Sequence, residues 1–297
     1  LNSEGIGRIL KGYSSFYYVS DGSDLWECRL RGRFRKEKQT VLAGDKVRFT
    51  VLDAENRKGV VEEILPRSNA LIRPAVANVD QALIVLAPAD PAPDLWLLDR
   101  LLIMIRCEKI EPILCWNKED LAAPADVELL KRIYDSAGIL QVQTCALTGQ
   151  GVPELIHLLK DRTTVLAGPS GVGKSSLLNQ IEPGLTLKTG ETSQKLGRGR
   201  HTTRHVEWLP LAFGGWVADT PGFSQIYLPE KVNRENLKAF YPDFERALFD
   251  CQFSSCSHVK EVQCGVKAAV EAGLIDEGRY QRYVSFMEEL TQRDKRY

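Results

Sequence analysis

Gly168-Pro169-Ser170-Gly171-Val172-Gly173-Lys174-Ser175 reads G-x-x-x-x-G-K-S, the pattern of a phosphate-binding loop. The run before it, 163–167, is β-branched and apolar and suits a buried strand. The run after it, 176–181, has the apolar spacing of a helix. Strand, glycine-rich turn, helix is the context in which such a loop works. Its glycines let the backbone curl so that several N–H groups face one anion, and the helix N-terminus adds positive partial charge. Lys174 would reach the β- and γ-phosphates and take a catalytic part, and the Ser175 hydroxyl would bind Mg²⁺. A chance glycine-rich turn is the plainer alternative, and flanks of this kind weaken it. The candidate nucleotide contacts here are Gly168, Pro169, Ser170, Gly171, Val172, Gly173, Lys174, Ser175 and Ser176.

The chain has 297 residues, enough for two or three domains. Lys plus Arg and Asp plus Glu each total 39, so net charge points to no partner, and a nucleic-acid role must rest on a local patch. No apolar run approaches the length of a membrane span, and no signal-peptide pattern opens the sequence. Seven cysteines, three of them clustered beside a histidine, point to a reducing compartment and a metal rather than to disulfides. The cytoplasm, or an organelle of bacterial descent, is the expected location.

Upstream of the phosphate loop, 81–87 and 112–116 are near-continuous apolar runs, the mark of parallel strands buried on both faces. Segments 95–110, 127–137 and 152–159 have helical spacing, and 139–144 reads as a strand. Alternating strands and helices predict an α/β domain with a parallel sheet. Downstream, 208–211 and 215–218 read as strands ending at Asp219. Segment 183–204, rich in Gly, Lys, Arg, Ser and Thr, lies between two nucleotide motifs and is expected to be a mobile switch rather than a plain linker.

Asn117-Lys118-Glu119-Asp120 follows the strand at 112–116. N-K-x-D at a strand's C-terminal end suits a guanine reader. The Asp120 carboxylate can accept from the ring N–H and the exocyclic amine, a donor pair that adenine lacks. Lys118 would lie over the base, and Asn117 would tie this loop to the phosphate loop. A helix N-cap is the plainer use of Asp120. Cys145-Ala146-Leu147-Thr148-Gly149 resembles an S-A-x-T-G element, in which the Ala146 N–H meets the guanine oxygen; Cys145 stands where serine is usual. Asp219-Thr220-Pro221-Gly222 is a D-x-x-G element, with Asp219 holding Mg²⁺ through water and the Gly222 N–H meeting the γ-phosphate. Either Thr202 or Thr203 supplies a switch threonine.

N-K-x-D precedes the phosphate loop, the reverse of the ordinary GTPase order, so the domain reads as circularly permuted. Native termini often lie close together, which makes the rearrangement physically accessible. The segment after Gly222 then leads directly into the C-terminal part. Phe223 occupies the position where Ras-like enzymes keep a water-orienting glutamine. Another group must do that work, and His201 is the catalytic candidate; a solvated loop histidine is the plainer reading.

Residues 1–70 read as a small all-β unit, with runs at 8–10, 16–19, 25–30, 46–52 and 59–64 separated by turn signals. The spacing fits a small closed barrel of oligonucleotide-binding (OB) type, with an SH3-like barrel as the alternative. One basic loop there holds Arg29, Arg31, Arg33, Arg35, Lys36 and Lys38 around Phe34. Its cations could bind RNA phosphates and Phe34 could stack on a base; a charge-protected hairpin edge is the alternative. Segment 66–79 is the expected linker. Beyond residue 229 the chain reads as helices around Cys251-x4-Cys256-x-His258-x5-Cys264. Three thiolates and one imidazole match a closed tetrahedral zinc site, structural because no position is left open. Cys28, Cys107, Cys115 and Cys145 sit in apolar runs and are expected in the core.

Taken together, G-P-S-G-V-G-K-S-S, N-K-E-D, G-R-G-R-H-T-T, D-T-P-G-F and the cysteine–histidine spacing resemble, in order, the family of small-ribosomal-subunit biogenesis GTPases. The resemblance covers essentially the whole chain, and Cys145 is the departure. It implies an OB barrel over 1–70 that contacts ribosomal RNA through Arg31, Arg33, Phe34, Arg35 and Lys36, a permuted GTPase domain over 71–228, and a mainly helical zinc domain over 229–297. It also implies a monomer that needs Mg²⁺ and one structural Zn²⁺, carries no membrane anchor, binds the immature small subunit, and leaves after GTP hydrolysis to GDP. Glu119 joins the expected nucleotide contacts on the same basis. Two other classes stay open: a GTP-dependent switch acting on a non-ribosomal RNA or protein, and a zinc-dependent nucleic-acid module with an inactive nucleotide site.

Overall fold

The N-terminal strands alternate inward apolar residues with outward polar ones, and their inner faces fuse into one core of Ile9, Val19, Trp26, Cys28, Phe34, Val47, Phe49 and Val61. A computed structural model describes residues 3–36, 40–72, 74–185, 206–219 and 227–295. Strands β1 (Glu4–Tyr13), β2 (Phe16–Ser20), β3 (Leu25–Leu30), β4 (Lys46–Asp53) and β5 (Lys58–Ile64) close in the order β1-β2-β3-β5-β4, back to β1. All neighbours are antiparallel except β3 and β5. This is the closed five-stranded barrel expected, and closure leaves no edge strand.

The basic stretch differs from its expected form. Gly32–Lys36 is a short helix, α1, inserted between β3 and β4. It plugs the barrel with Phe34, 3% exposed, so that ring is core and not a stacking platform. The reason is simple: burying an aromatic ring contributes more than leaving it in water, by about 1.5–3 kcal/mol. Segment 66–79 is likewise no loose linker. It contains the small β6 (Ala70–Leu71) and β7 (Val76–Ala77) pair, and Arg67 reaches back to the buried Asp45 at 2.6 Å. Asn78 Nδ2 donates to Gly44 O at 3.0 Å, which fastens the barrel to the sheet domain.

The central sheet has the order β10-β9-β8-β11-β13-β12. Its strands are β8 (Gln81–Leu86), β9 (Glu111–Asn117), β10 (Leu140–Thr144), β11 (Thr163–Ala167), β12 (Leu209–Pro210) and β13 (Trp216–Asp219), all parallel except β12. β8 and β11 are buried at every position, as a strand covered on both faces must be. Helix α2 (Leu95–Cys107) starts where the Asp94 carboxylate accepts from the Trp96 and Leu97 N–H groups, both at 3.0 Å. Helix α3 spans Pro124–Asp135, beginning earlier than its apolar spacing suggested because Pro124 can open a helix at no cost in hydrogen bonds. Helices α4 (Val152–Leu159) and α5 (Lys174–Ile181) complete the layers. The chain runs outward from β8 to β9 and β10, then returns to β11 and continues to β13 on the other side. The sheet's topological switch point therefore lies between β8 and β11, where α/β sheets place ligands.

The C-terminal part holds short 3₁₀ turns at Leu237–Phe240 and Pro242–Asp250, then α6 (Gly265–Glu271) and α7 (Glu277–Asp294). Its core takes in Ile103 from α2, so it is continuous with the sheet domain. At that seam the buried Asp99 of α2 meets Arg279 at 2.6 Å and Arg282 at 2.5 Å, and Arg279 also pairs with Asp243 at 2.9 Å. Arg100 grips Glu289 with two parallel hydrogen bonds of 2.8 and 2.7 Å. Among the described residues no helix is long and apolar enough to cross a membrane.

Candidate nucleotide site and metal centre

The phosphate loop leaves the C-terminal end of β11 and enters α5 at Lys174. Two glycines are obligatory here. Gly168 has φ +127° and its missing Cβ would collide with Val85 O of the neighbouring strand β8. Gly173 has φ +91° and a Cβ there would strike Asn117 Nδ2. Both places need a left-handed backbone and a close approach, which explains their presence in the motif. The Lys174 amine donates to Gly168 O at 2.8 Å and Pro169 O at 2.7 Å, so it lies inside the curl of its own loop.

The N-K-E-D loop leaves β9 beside it. Asn117, fully buried, donates from Nδ2 to Val172 O at 2.8 Å and so joins the two loops. Its Oδ1 accepts from Thr144 Oγ1 and from the Ala146 N–H, each at 3.1 Å. The Ala146 N–H thus serves Asn117 in this structure. Lys118 takes a left-handed conformation, φ 64°, and its amine donates to Asp90 O at 2.9 Å, in the loop that follows β8. Asp120 is exposed, and its Oδ1 accepts from Cys145 Sγ at 3.1 Å. The Glu119 carboxylate lies 3.2 Å from the Gln143 amide, on the side of β10, so it braces the turn. Thr144 and Cys115, 3.2 Å apart, form a support that the motifs did not reveal. The only signal in sequence was that Thr144 sits one residue before the element at 145–149.

Asp219 ends β13, paired in register with Leu166 beside the phosphate loop. His201, Thr202, Thr203, Gly222 and Phe223 lie outside the described residues, as does most of the 183–204 segment. On the barrel, Arg31 pairs with Glu62 at 2.5 Å and Arg33 donates to Glu62 O; both are exposed. Arg35 and Lys36 belong to α1, with side chains outside the description.

Cys251, Cys256, His258 and Cys264 come together with all ligand atoms within 4.8 Å of one another. His258 Nδ1 lies 3.6 Å from Cys251 Sγ and 3.4 Å from Cys264 Sγ. Tetrahedral zinc with ordinary Zn–S and Zn–N bonds puts nitrogen and sulfur about 3.6 Å apart, so the group fits. Burial, and then the Lys238 amine, push the imidazole down to about 4, which keeps its lone pair free at neutral pH. Burial and the neighbouring thiols push Cys256 up to about 12. Without a cation such a pocket disfavours thiolates, and a divalent ion supplies the missing charge. The loop carrying the ligands is folded around Glu261. Its carboxylate accepts from the N–H groups of Ser257, Val259 and Lys260 and from the Ser257 hydroxyl. Burial alone would raise this carboxyl, but those donors outweigh it and bring it to about 2. Tyr280 and Tyr283 then fix the loop by donating to His258 O and Ser257 O at 2.7 and 3.0 Å. Cys28, Cys115 and Cys145 are buried as expected, whereas Cys107 is only half-buried at the seam.

The chain matches the family models described as RsgA N-terminal domain over residues 6–61 and RsgA GTPase over residues 64–229. It is 48% identical over 291 residues to the small ribosomal subunit biogenesis GTPase RsgA of Moorella thermoacetica, covering 98% of this chain and 99% of that one. The protein of the same name from Caldanaerobacter subterraneus is 46% identical over 290 residues, covering 98% and 97%. Among solved structures, YjeQ from Thermotoga maritima superposes with a TM-score of 0.83 at 37% identity, over 97% of this chain and 99% of that one. YloQ, a circularly permuted GTPase, gives 0.80 at 38%, over 98% and 96%. Identity at this level runs through barrel, permuted sheet and cysteine–histidine part alike, and the chain accordingly belongs to the RsgA family of circularly permuted GTPases.

Proposed function

We propose that this chain binds GTP with Mg²⁺ and hydrolyses it to GDP and phosphate while bound to the small ribosomal subunit during its late maturation. The observation that carries this reading is the hydrogen bond from Asn117 to Val172 O, which holds a base loop and a phosphate loop at one end of the sheet. In the proposed site, Gly168–Ser176 backbone groups and Lys174 hold the phosphates, with Lys174 neutralising charge that builds in transfer. Ser175 and Asp219 serve Mg²⁺, Gly222 and Thr202 or Thr203 serve the γ-phosphate, and Asp120 selects guanine. Because Phe223 has no group to orient water, His201 is assigned that task, and turnover of the free protein should be slow. Cys251, Cys256, His258 and Cys264 would hold one structural zinc. Arg31, Arg33, Arg35 and Lys36 would contact ribosomal RNA phosphates from the barrel. The reading divides the chain into a barrel (1–70), a GTPase domain (71–228) and a zinc domain (229–297), acting as a cytoplasmic monomer.

The test is GTP turnover with and without purified small subunits. Stimulation by the subunit, lost in Lys174→Ala, is the expected result. Equal rates with and without the subunit would overturn the ribosomal part, and turnover intact in Lys174→Ala would overturn the site. His201→Ala should lower stimulated turnover with GTP affinity nearly unchanged.

A further inference from the structure

The cysteines outside the metal group are thiols in apolar surroundings. Cys28, Cys115 and Cys145 are buried, and Cys107 is half-buried at the seam. Burial pushes Cys28 and Cys115 up to about 12 and raises Cys107, so these three stay protonated at neutral pH. A protonated thiol is a poor nucleophile. The sulfurs of the metal group differ, because a sulfur that ligates a divalent ion is a thiolate. Those three sulfurs are not equivalent either. Cys256 and Cys264 are 3% and 5% exposed, whereas Cys251 is half-buried. The Gln252 N–H donates to Gln263 O at 3.3 Å, so the backbone just after Cys251 lies beside the backbone just before Cys264. Both sulfurs flank one ring nitrogen, His258 Nδ1, at 3.6 and 3.4 Å. Cys256 sits on a separate turn, closed by its own N–H to Phe253 O at 3.1 Å. The Lys238 amine donates to Ser254 O at 3.1 Å and puts positive charge beside this loop.

We propose that Cys251 is a peroxide-reactive thiolate whose oxidation joins it to Cys264 and empties the metal site, an assignment that rests on the zinc reading above. The oxidant is a hydroperoxide. The Cys251 sulfur attacks a peroxide oxygen, the O–O bond breaks, and the leaving hydroxide takes a proton from solvent. Cys251 is then a sulfenic acid. The Cys264 thiolate attacks that sulfur, the S–O bond breaks, and hydroxide leaves with a second proton as water. Two thiolates, one hydrogen peroxide and two protons give one disulfide and two waters. Exposure decides the first step, since the oxidant must reach the sulfur and Cys251 is the open one. Adjacency decides the second. A disulfide needs Cα atoms about 4.4–6.8 Å apart, a span that neighbouring extended backbones already meet. Cys256 and His258 are then half of a four-ligand set and cannot enclose the ion. The new bond closes the loop in place of the metal. Tyr280 and Tyr283 still hold that loop through His258 O and Ser257 O, from outside the ligand set. Reduction by a dithiol therefore returns ligands that are already close to position.

The test treats the full-length, zinc-loaded chain with a small excess of hydrogen peroxide in the absence of added thiols. A chromogenic zinc chelator reads metal release, and peptide mass mapping reads the new bond. The expected result is release of one zinc per chain, loss of two thiols, and a Cys251–Cys264 peptide pair two hydrogens lighter than its parts. Cys28, Cys107, Cys115 and Cys145 should still be alkylated after unfolding. A dithiol with zinc should reverse the change. Cys251→His keeps four zinc-type ligands and removes the open sulfur, so at equal zinc content it should slow release roughly tenfold or more. If that variant does not load zinc, the mapping on the parent decides. Absence of zinc from the untreated chain would overturn the metal reading, and this assignment with it. Zinc retained through the peroxide treatment, release without a disulfide, a bridge through Cys256, or oxidation that starts at Cys107 would overturn this assignment and leave the metal reading standing.

Discussion

Removing the carboxylate of Asp99 should unlock the C-terminal lobe. Asp99 is completely buried and faces two guanidinium groups, Arg279 at 2.6 Å and Arg282 at 2.5 Å; Arg279 has a second carboxylate partner in Asp243, also buried. Burial alone would lower the arginines' proton affinity, but the carboxylates more than offset it, so both stay charged. Asp99→Ala leaves Arg279 with Asp243 alone and takes from Arg282 the carboxylate it pairs with. At an effective dielectric of about 20, each lost contact is worth about 4 kcal/mol of attraction, partly cancelled because Asp99 no longer needs desolvation. The net cost of breaking a buried pair this way is about 3–5 kcal/mol. With a urea slope near 3 kcal/mol/M, the unfolding midpoint should fall by roughly 1–1.7 M. Trp96, stacked edge-on against Phe286 across the same seam at 5.9 Å, gives a local fluorescence report of undocking. Replacing the whole cluster by Asp99→Leu, Asp243→Leu, Arg279→Met and Arg282→Met should recover most of the loss, since no buried charge is then left alone. A midpoint shift of Asp99→Ala below about 0.3 M, under 1 kcal/mol on that slope, would refute the account of this seam as an electrostatic lock.

Asp120→Asn should shift preference from guanine toward xanthine nucleotides by about a hundredfold or more in relative affinity, measured by equilibrium binding. Metal analysis of freshly purified protein should find one zinc per chain; chelation should open residues 229–297 to protease while GTP binding survives, and Cys256→Ser should do the same. Glu261→Gln should destabilise the metal loop at neutral pH. The folded carboxyl is lowered to about 2 from an ordinary 4.5, so its contribution is present above that ordinary value and is lost as pH falls toward 2. The stability gap between parent and Glu261→Gln, read by thermal unfolding, should therefore shrink across that window.

Local sequence determined what local chemistry controls. The glycines at 168 and 173 with their positive φ, the polar cluster N-K-E-D and the cysteine–histidine spacing each sit in a short stretch of chain, so their residue types already point to the local backbone and the ligand set. The buried runs at 81–87 and 112–116 gave away a parallel sheet because strands covered on both faces must be apolar throughout. Motif order alone revealed the permutation. What stayed hidden depended on partners distant along the chain. Phe34 looked like a stacking ring because its neighbours are basic, and only barrel closure turned it inward. Segment 66–79 looked like a linker because its anchors, Gly44 and Asp45, come from an earlier turn. Asp99 and Arg279 are separated by 180 residues and carry no motif, yet packing α2 against α7 makes them a buried pair. Cys145 is the sharpest case. Its identity as the odd residue in a familiar element was plain in sequence, but whether the thiol stood idle or held Asp120 depended on how two neighbouring strands of the sheet end side by side. Short-range hydrogen bonding and periodicity are written into consecutive residues; burial, charge pairing and the joining of loops arise only when the chain closes on itself.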